Sequence, residues 1–387
     1  MKTCITFRDE PNGKTRVDLM LDAECVSWLE VIPFTIRVGE AEIGMDGIAN
    51  VNTIEEHRMK GYSRRVVEAT ADHMIQGYAS VSMLYGIGNL YHKFGYSTVG
   101  PDHYFITGLN ANDELPEGWS VRAFAVDDLR TVRNLYSRVT CQATGSAVRP
   151  DDHETWQQII KPAEALRGNA CRVIIGPDGE VHAYAWLAHW CYAVEECLNE
   201  QYPDAFVIGE AIADSPTAAD ALLAACRQWA REDGDAKNVL LPIPPDTHIA
   251  TAAMYQEAYF HRDFEPCGGS MVRVLSVKRL LEALSPEIRA RLQAAGSTFT
   301  GTLTIRTDIG NVTLLIEPDG VRVEDGERSG GLVVEMPQTA LGRLALGAFP
   351  PEDILARFAE SPDEKAAALL RIIFPLRHPH MYLPDRF

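Results

Sequence analysis

The residues with the clearest chemical purpose are Arg58-Met59-Lys60-Gly61-Tyr62-Ser63-Arg64-Arg65, a cationic stretch around a glycine in a chain of formal net charge −18. Such a stretch suits a diphosphate. A glycine lets the backbone N–H groups of a tight turn face outward, and a helix that starts there adds its N-terminal partial positive charge. Arg58, Lys60, Arg64 and Arg65 then offer charge-assisted contacts to phosphate oxygens. A cationic helix start is more often a solvated face, and only the order strand, glycine turn, helix lifts this one above that reading.

Other candidates carry less. The eight cysteines (Cys4, Cys25, Cys141, Cys171, Cys191, Cys197, Cys226, Cys267) contain no CxxC pair, which fits reduced, mostly buried thiols better than disulfides or a zinc site. Cys191 and Cys197 lack a flanking histidine with an orienting partner, so neither reads as a nucleophile. His378 and His380 sit in a proline-rich turn without a third ligand, and no metal is expected. The aromatic group Trp186, Trp190 and Tyr192 could wall a cleft, but core packing is the commoner fate of such residues.

The elements that must position the cationic stretch are legible around it. Val26 to Ile36 and Ile43 to Val51 read as antiparallel strands about a Gly39-Glu40 turn. Val66, Val67, Ala69, Thr70 and Met74 repeat at helical spacing, and Val81 to Tyr85 is strand-like after Gly77. A polar, turn-rich stretch over 110–119 marks a linker. Beyond it come a strand at Ser120 to Phe124, a helix at Asp127 to Val139 capped by Asp127 or Asp128, and a hairpin of Arg172 to Ile175 with Val181 to Leu187. A helix at Ala218 to Trp229 and a strand at Asn238 to Pro242 echo the first half. Gly268 to Leu284 holds a strand and a helix. Gly301 to Arg306, Val312 to Ile316 and Gly320 to Val323 form a meander closed by helices at Pro351 to Ala359 and Asp363 to Ile372.

A chain of 387 residues exceeds what one core serves, so two or three domains are expected. With 46% hydrophobic and 23% charged residues it reads as folded and globular. The charge of −18 argues against a nucleic-acid partner and favours the approach of cationic molecules. No signal-like start and no run of ~20 apolar residues is present, so a cytoplasmic protein without a membrane partner is expected.

Arg58-x-x-Gly61-x-Ser63 resembles the pyrophosphate loop of GNAT acetyltransferases. Ile32-Pro33-Phe34, Met45-x-Gly47, Leu90 to Tyr96 and the C-terminal run Phe374 to Phe387 resemble segments of the Eis type within that superfamily. The resemblance spans residues 26 to 387. It implies tandem GNAT folds of the α/β (α+β) class with mixed, mostly antiparallel sheets, and a sterol-carrier-protein-like C-terminal domain. The implied ranges are 1–110, 111–272 and 273–387. Sterol transport does not follow from fold alone.

The same resemblance implies acetyl-CoA as acyl donor. Val51, Asn52 and Thr53 would bind its pantetheine arm, Arg58, Met59, Lys60, Gly61, Tyr62, Ser63 and Arg64 its diphosphate, and Gly86 and Ile87 would line its far side. Tyr91 would be the proton donor to the departing thiolate, with Tyr96 as competitor. The carboxylate of Phe387 would be the proton acceptor. Tyr382 to Phe387 is apolar and aromatic where tails are usually polar, which favours docking over fraying. With an ordinary pKa of ~3.3 to 3.7, that carboxylate needs partial desolvation or a water relay to take an ammonium proton. The expected activity is acetyl transfer to a primary amine of a small cationic, aminoglycoside-like molecule or a lysine; the alternative is a non-catalytic acyl-CoA or lipid-binding protein. A homo-oligomer, a hexamer as in relatives, is implied by resemblance only.

The pattern departs from the resemblance twice. The second half has Gly209 to Thr217 where a loop would stand; Pro216 removes an N–H donor, so this copy is not expected to bind acetyl-CoA. Relatives carry a strand and two helices before the segment matched by Val26 to Ile36, whereas only twenty-five residues precede it here.

Overall fold

The structure, a computed structural model, describes residues 2–11, 13–86, 90–109, 113–152, 156, 170–187, 198, 201–264, 269–359 and 363–387. The chain packs as two compact units, one of residues 1–100, 265–379 and 387, the other of residues 101–264 and 380–386.

The first unit opens on a hairpin of β1 (Thr3–Asp9) and β2 (Thr15–Leu21), which occupies the short stretch before Val26. Val17, Leu19 and Leu21 of β2 alternate into the core, which is the period-2 signature of a strand with one buried face. β3 (Glu24–Val38) and β4 (Ala41–Thr53) form a long hairpin turning at Gly39, whose φ of +60° puts glycine at the first central position of a two-residue turn. Near its far end the ladder carries a bulge: Glu30 faces Ala49 and Trp28 faces Asn52, so Asn50 and Val51 together oppose Leu29. Asn50 takes φ +51°, a conformation asparagine tolerates, and its Nδ2 donates to Glu30 Oε2 at 3.1 Å. α1 (Tyr62–Gln76) follows, burying Val66, Val67, Thr70, Ala71 and Met74. β5 (Val81–Gly86) runs parallel to β4, and the short β6 (Ser97–Thr98) ends this stretch.

The second unit contains β7 (Asp102–Gly108), β8 (Ser120–Ala123), α2 (Leu129–Thr140), β9 (Thr144–Ala147), β10 (Cys171–Ile175), β11 (Val181–Leu187), β12 (Ala205–Ala213), α3 (Pro216–Asp233), β13 (Asn238–Pro242), α4 (His248–Tyr255) and β14 (Tyr259–Asp263). Its sheet has the order β14-β7-β13-β12-β11-β10-β8. The core beneath it joins Trp186, Leu222 and Val239. Asp128 does not cap α2 with its side chain; its carboxylate accepts from Ala125 N at 2.8 Å and from Arg122.

β15 (Gly269–Val274) then enters the first unit's sheet, giving the order β1-β2-β3-β4-β5-β15-β6. A strand from within 1–110 thus completes the second unit's sheet, and one from within 111–272 completes the first's. Long-range pairing of this kind leaves no periodic mark in a sequence.

The first unit also holds α5 (Val277–Ala294), β16 (Gly301–Thr307), β17 (Gly310–Glu317), β18 (Gly320–Asp325), β19 (Leu332–Glu335), α6 (Gln338–Ala345), α7 (Pro351–Phe358) and α8 (Glu364–Ile373). Its four strands order as β18-β17-β16-β19, with α5 packed on β17 and β18. The fold class is therefore the expected one: mixed sheets, mostly antiparallel, with parallel pairs at β4/β5, β12/β13 and β16/β19. Among the described cysteines only Cys171 and Cys226 are buried, while Cys4 on an edge strand and Cys141 past the end of α2 are exposed. Cys191, Cys197 and Cys267 lie outside the described residues. Among the described residues, no helix is long and apolar enough to cross a membrane.

Candidate active site

The centre of the first unit is the place where two parallel strands part. β4 and β5 pair at Met45 with Val81, Asp46 with Ser82 and Gly47 with Met83, and the pairing ends there although both strands continue. The bulge at Asn50 and Val51 explains the divergence, because an extra residue bends the strand that carries it. Val51, Asn52 and Thr53 form the last stretch of β4, beyond the paired part. Asn52 and Thr53 are held from the other side, Ser27 Oγ bonding Asn52 O at 3.0 Å and Thr53 Oγ1 at 2.9 Å.

The glycine turn follows as expected. Met59 and Gly61 both take positive φ, +62° and +77°, and Gly61 is the N-cap of α1 without any side-chain cap or acidic residue in the first turn. Arg58, Met59, Lys60, Gly61 and Arg64 are exposed, and Tyr62 and Ser63 half-buried. Arg58 Nε donates to Thr53 O at 3.3 Å, tying the turn to the end of β4. Arg64 faces Glu68 at 3.7 Å in an exposed pair, which holds it loosely. The start of α1 thus meets no side-chain cap from the protein.

Consecutive residues at the end of β5 face opposite sides of the sheet, and each touches a candidate proton carrier. On the α1 side, a Cβ placed at Gly86 would lie 2.9 Å from Tyr91 Cδ2, so the glycine makes room for that ring. Tyr91 opens a 3₁₀ turn, Tyr91–Phe94, closed by Gly95 at φ +80°. It is 6% exposed, and burial pushes its hydroxyl up to about 12. Tyr96 lies edge-on to it with ring centroids 6.2 Å apart.

The two tyrosines are told apart by their hydrogens. Ser82 Oγ donates its one hydrogen to Asp46 O at 2.8 Å, so the 2.7 Å bond between Ser82 Oγ and Tyr96 Oη must be donated by Tyr96. That proton is committed to the core. The Tyr91 hydroxyl has no such bond to any described residue.

On the other face, the Phe387 ring stacks on Phe34 at 5.1 Å and meets Tyr85 edge-on at 5.9 Å. The terminal residue is docked, not frayed. Ile87 lies outside the described residues. Sequence reasoning did not assign Phe34, Tyr85 or Asn50 a part in this arrangement; the asparagine between Ala49 and Val51 was the one available signal, for a bulge.

In the second unit, the tail segment 380–386 is fixed by buried charge. Arg149 donates to Asp385 (Nε to Oδ1 2.9 Å, Nη2 to Oδ2 2.8 Å) and to Glu210 (Nη1 to Oε1 3.1 Å), and stacks over Tyr136 at 3.9 Å. Tyr184 Oη and Trp186 Nε1 donate to the same Glu210 oxygen at 2.7 and 2.8 Å. Trp186 is therefore core; Trp190 and Tyr192 lie outside the described residues. Arg386 pairs with Asp102 at 2.6 Å; burial alone would raise that carboxyl, but the guanidinium holds it below its usual range. His380 is buried, and burial and Arg386 push its ring down to about 3.

Residues 13–99 match the acetyltransferase (GNAT) domain family. No curated protein sequence matches the chain. Solved structures share its fold over nearly the whole length. A protein of unknown function from Enterococcus faecalis is 14% identical with a TM-score of 0.72, covering 97% of this chain and 89% of its own. A GCN5-related N-acetyltransferase from Kribbella flavida is 19% identical with a TM-score of 0.69, covering 96% and 87%. Eis1 from Mycobacterium abscessus is 15% identical with a TM-score of 0.64, covering 96% and 90%.

Proposed function

We propose that this chain is an acetyl-CoA-dependent N-acetyltransferase that transfers acetyl directly to a primary amine of a small cationic molecule or a lysine. The observation that carries the reading is the opening between β4 and β5 past Gly47, with an uncapped, cation-flanked helix start nearby and Tyr91 and Phe387 on its two faces. The match of residues 13–99 to the GNAT domain supports it.

Arg58, Lys60 and the N–H groups at Gly61 to Arg64 would hold the diphosphate, and the unpaired end of β4 the pantetheine arm. The amine nitrogen's lone pair attacks the thioester carbonyl carbon, whose oxygen is polarised by backbone N–H groups. As the tetrahedral adduct collapses, the C–S bond breaks and the electron pair goes to sulfur. Tyr91 donates to that sulfur, and the ammonium proton passes to the carboxylate of Phe387, directly or through water. With its hydroxyl near 12, Tyr91 keeps its proton at every working pH. It is also a far weaker acid than a thiol of about 8.5, so hydrogen-bond donation to the developing thiolate is its main part. Acid and base act on different atoms, which suits their placement on opposite faces.

The test is release of free coenzyme A from acetyl-CoA across a panel of amines, for the wild type, Tyr91→Phe and a variant lacking Phe387. Turnover with at least one amine, lowered roughly a hundredfold or more in both variants while acetyl-CoA still binds, is expected. An undiminished rate without Phe387 removes the terminal carboxylate from the mechanism. Absence of turnover with any amine, alongside binding that vanishes in Arg58→Ala, leaves a cofactor-binding protein.

A further inference from the structure

Gly47 lies inside a strand, where glycine weakens the sheet and offers no side chain to pack. Its backbone does not demand glycine, since its φ is outside the left-handed region. Space demands it. A Cβ built on Gly47 would stand 2.5 Å from Phe387 Cζ, 2.6 Å from Cε2 and 2.9 Å from Cε1, closer than carbon atoms approach one another. The ring therefore lies directly on the backbone of β4 at the last residue that pairs with β5.

Two side chains of the same sheet face complete the arrangement. Phe34 pairs in register with Met45, two residues from Gly47, and Met83, the partner of Gly47, is two residues from Tyr85. Alternation puts Phe34, Gly47 and Tyr85 on the same side, and both aromatic rings meet Phe387 at separations and tilts favourable for such pairs.

We propose that Gly47 is a positioning residue whose missing Cβ creates the seat for the Phe387 ring between Phe34 and Tyr85. The seat fixes the terminal carboxylate, two bonds from the ring-bearing Cβ, at the opening between the strands. The inference rests on the reading of Phe387 as proton acceptor, and its test is built so that the two can fail separately.

The first measurement is release of Phe387 by a carboxypeptidase, followed by mass spectrometry, which needs no transferase activity. Release is slow in the wild type and at least tenfold faster in Gly47→Ala; equal rates overturn the seat. The second is a cycle of Gly47→Ala and Phe387→Ala read by steady-state kinetics. Gly47→Ala alone lowers kcat at least tenfold and changes KM for acetyl-CoA by less than threefold. In the Phe387→Ala background, where no ring remains to be displaced, adding Gly47→Ala changes kcat by less than twofold. Equal fold-losses in both backgrounds overturn the seat, and the double variant also shows whether alanine at this strand position folds. If deletion of Phe387 leaves turnover intact while Gly47→Ala still speeds carboxypeptidase release, the seat stands and the proton-acceptor reading falls.

Discussion

α1 of the first unit and α3 of the second each follow a strand that pairs in parallel with its successor for three residues and then parts from it. Their N-termini are built in opposite ways. α1 begins at a left-handed glycine with no side-chain cap and no acidic residue in its first turn. α3 begins at Ser215, whose Oγ accepts from Ala218 N at 3.3 Å, and has Pro216 at its first position, where no N–H exists to offer. The strand gaps differ in the same sense. Beyond Val207 and Leu240 the second unit's gap receives its own tail: Asp385 joins Arg149 and Glu210 of β12, Leu383 packs with Leu240, and His380 hydrogen-bonds Pro242. The scaffold supplies a gap and a helix start twice. A few residues decide whether the gap and the helix start stay open or are filled by the protein itself.

The largest effect should come from opening the filled gap. Arg149→Ala leaves Glu210 and Asp385 buried without their cation, which costs on the order of 3 to 5 kcal/mol. Denaturant unfolding measures it, and a loss under about 1 kcal/mol would mean that water, not Arg149, compensates those carboxylates. At the open helix start, Arg58→Ala should weaken acetyl-CoA binding by about 2 kcal/mol, roughly thirtyfold, in calorimetry, with little change in stability because the side chain is exposed. Unchanged affinity would place the diphosphate elsewhere.

The open gap was readable because its parts are local: a glycine turn, clustered cations and a helical repeat lie within twenty residues of one another. The filled one was not. Glu210 lies within the Gly209 to Thr217 stretch that reads as a degenerate loop, yet Gly209 to Ala213 are strand. Its burial depends on Arg149 and Asp385, 61 residues before and 175 after it, a pairing without any spacing rule. The exchange of β7 and β15 is hidden for the same reason, as both read as ordinary strands whose partners the sequence does not name. Tyr91 and Phe387 came from resemblance alone. What distinguishes Tyr96 from Tyr91 is its bond to Ser82, whose own hydrogen goes to Asp46 O, and no spacing in the sequence foretells that chain.

Acid should loosen the filled gap and spare the open one. His380 is buried and neutral, facing Arg386, Asp102 and His103, with its ring near 3 against an ordinary 6.5. The unfolded chain therefore takes up a proton that the folded one refuses, and stability that is full above pH 6.5 falls as pH drops toward 3. At pH 5 this amounts to about 2 kcal/mol. Unfolding of the wild type and His380→Leu at pH 7 and 5 should show a shallower decline in the variant. Parallel declines would mean that other groups govern acid stability.

The smallest change tests the comparison most directly. Ser215→Ala removes the side-chain acceptor at the start of α3 and should cost about 1 kcal/mol of stability, with acetyl-CoA affinity unchanged, because that helix start already lacks a donor at Pro216. If stability does not fall, the serine is dispensable and proline alone separates the closed helix start from the open one. In that case Tyr62→Pro, which puts the same residue at the first position of α1, should weaken acetyl-CoA binding without any new cap.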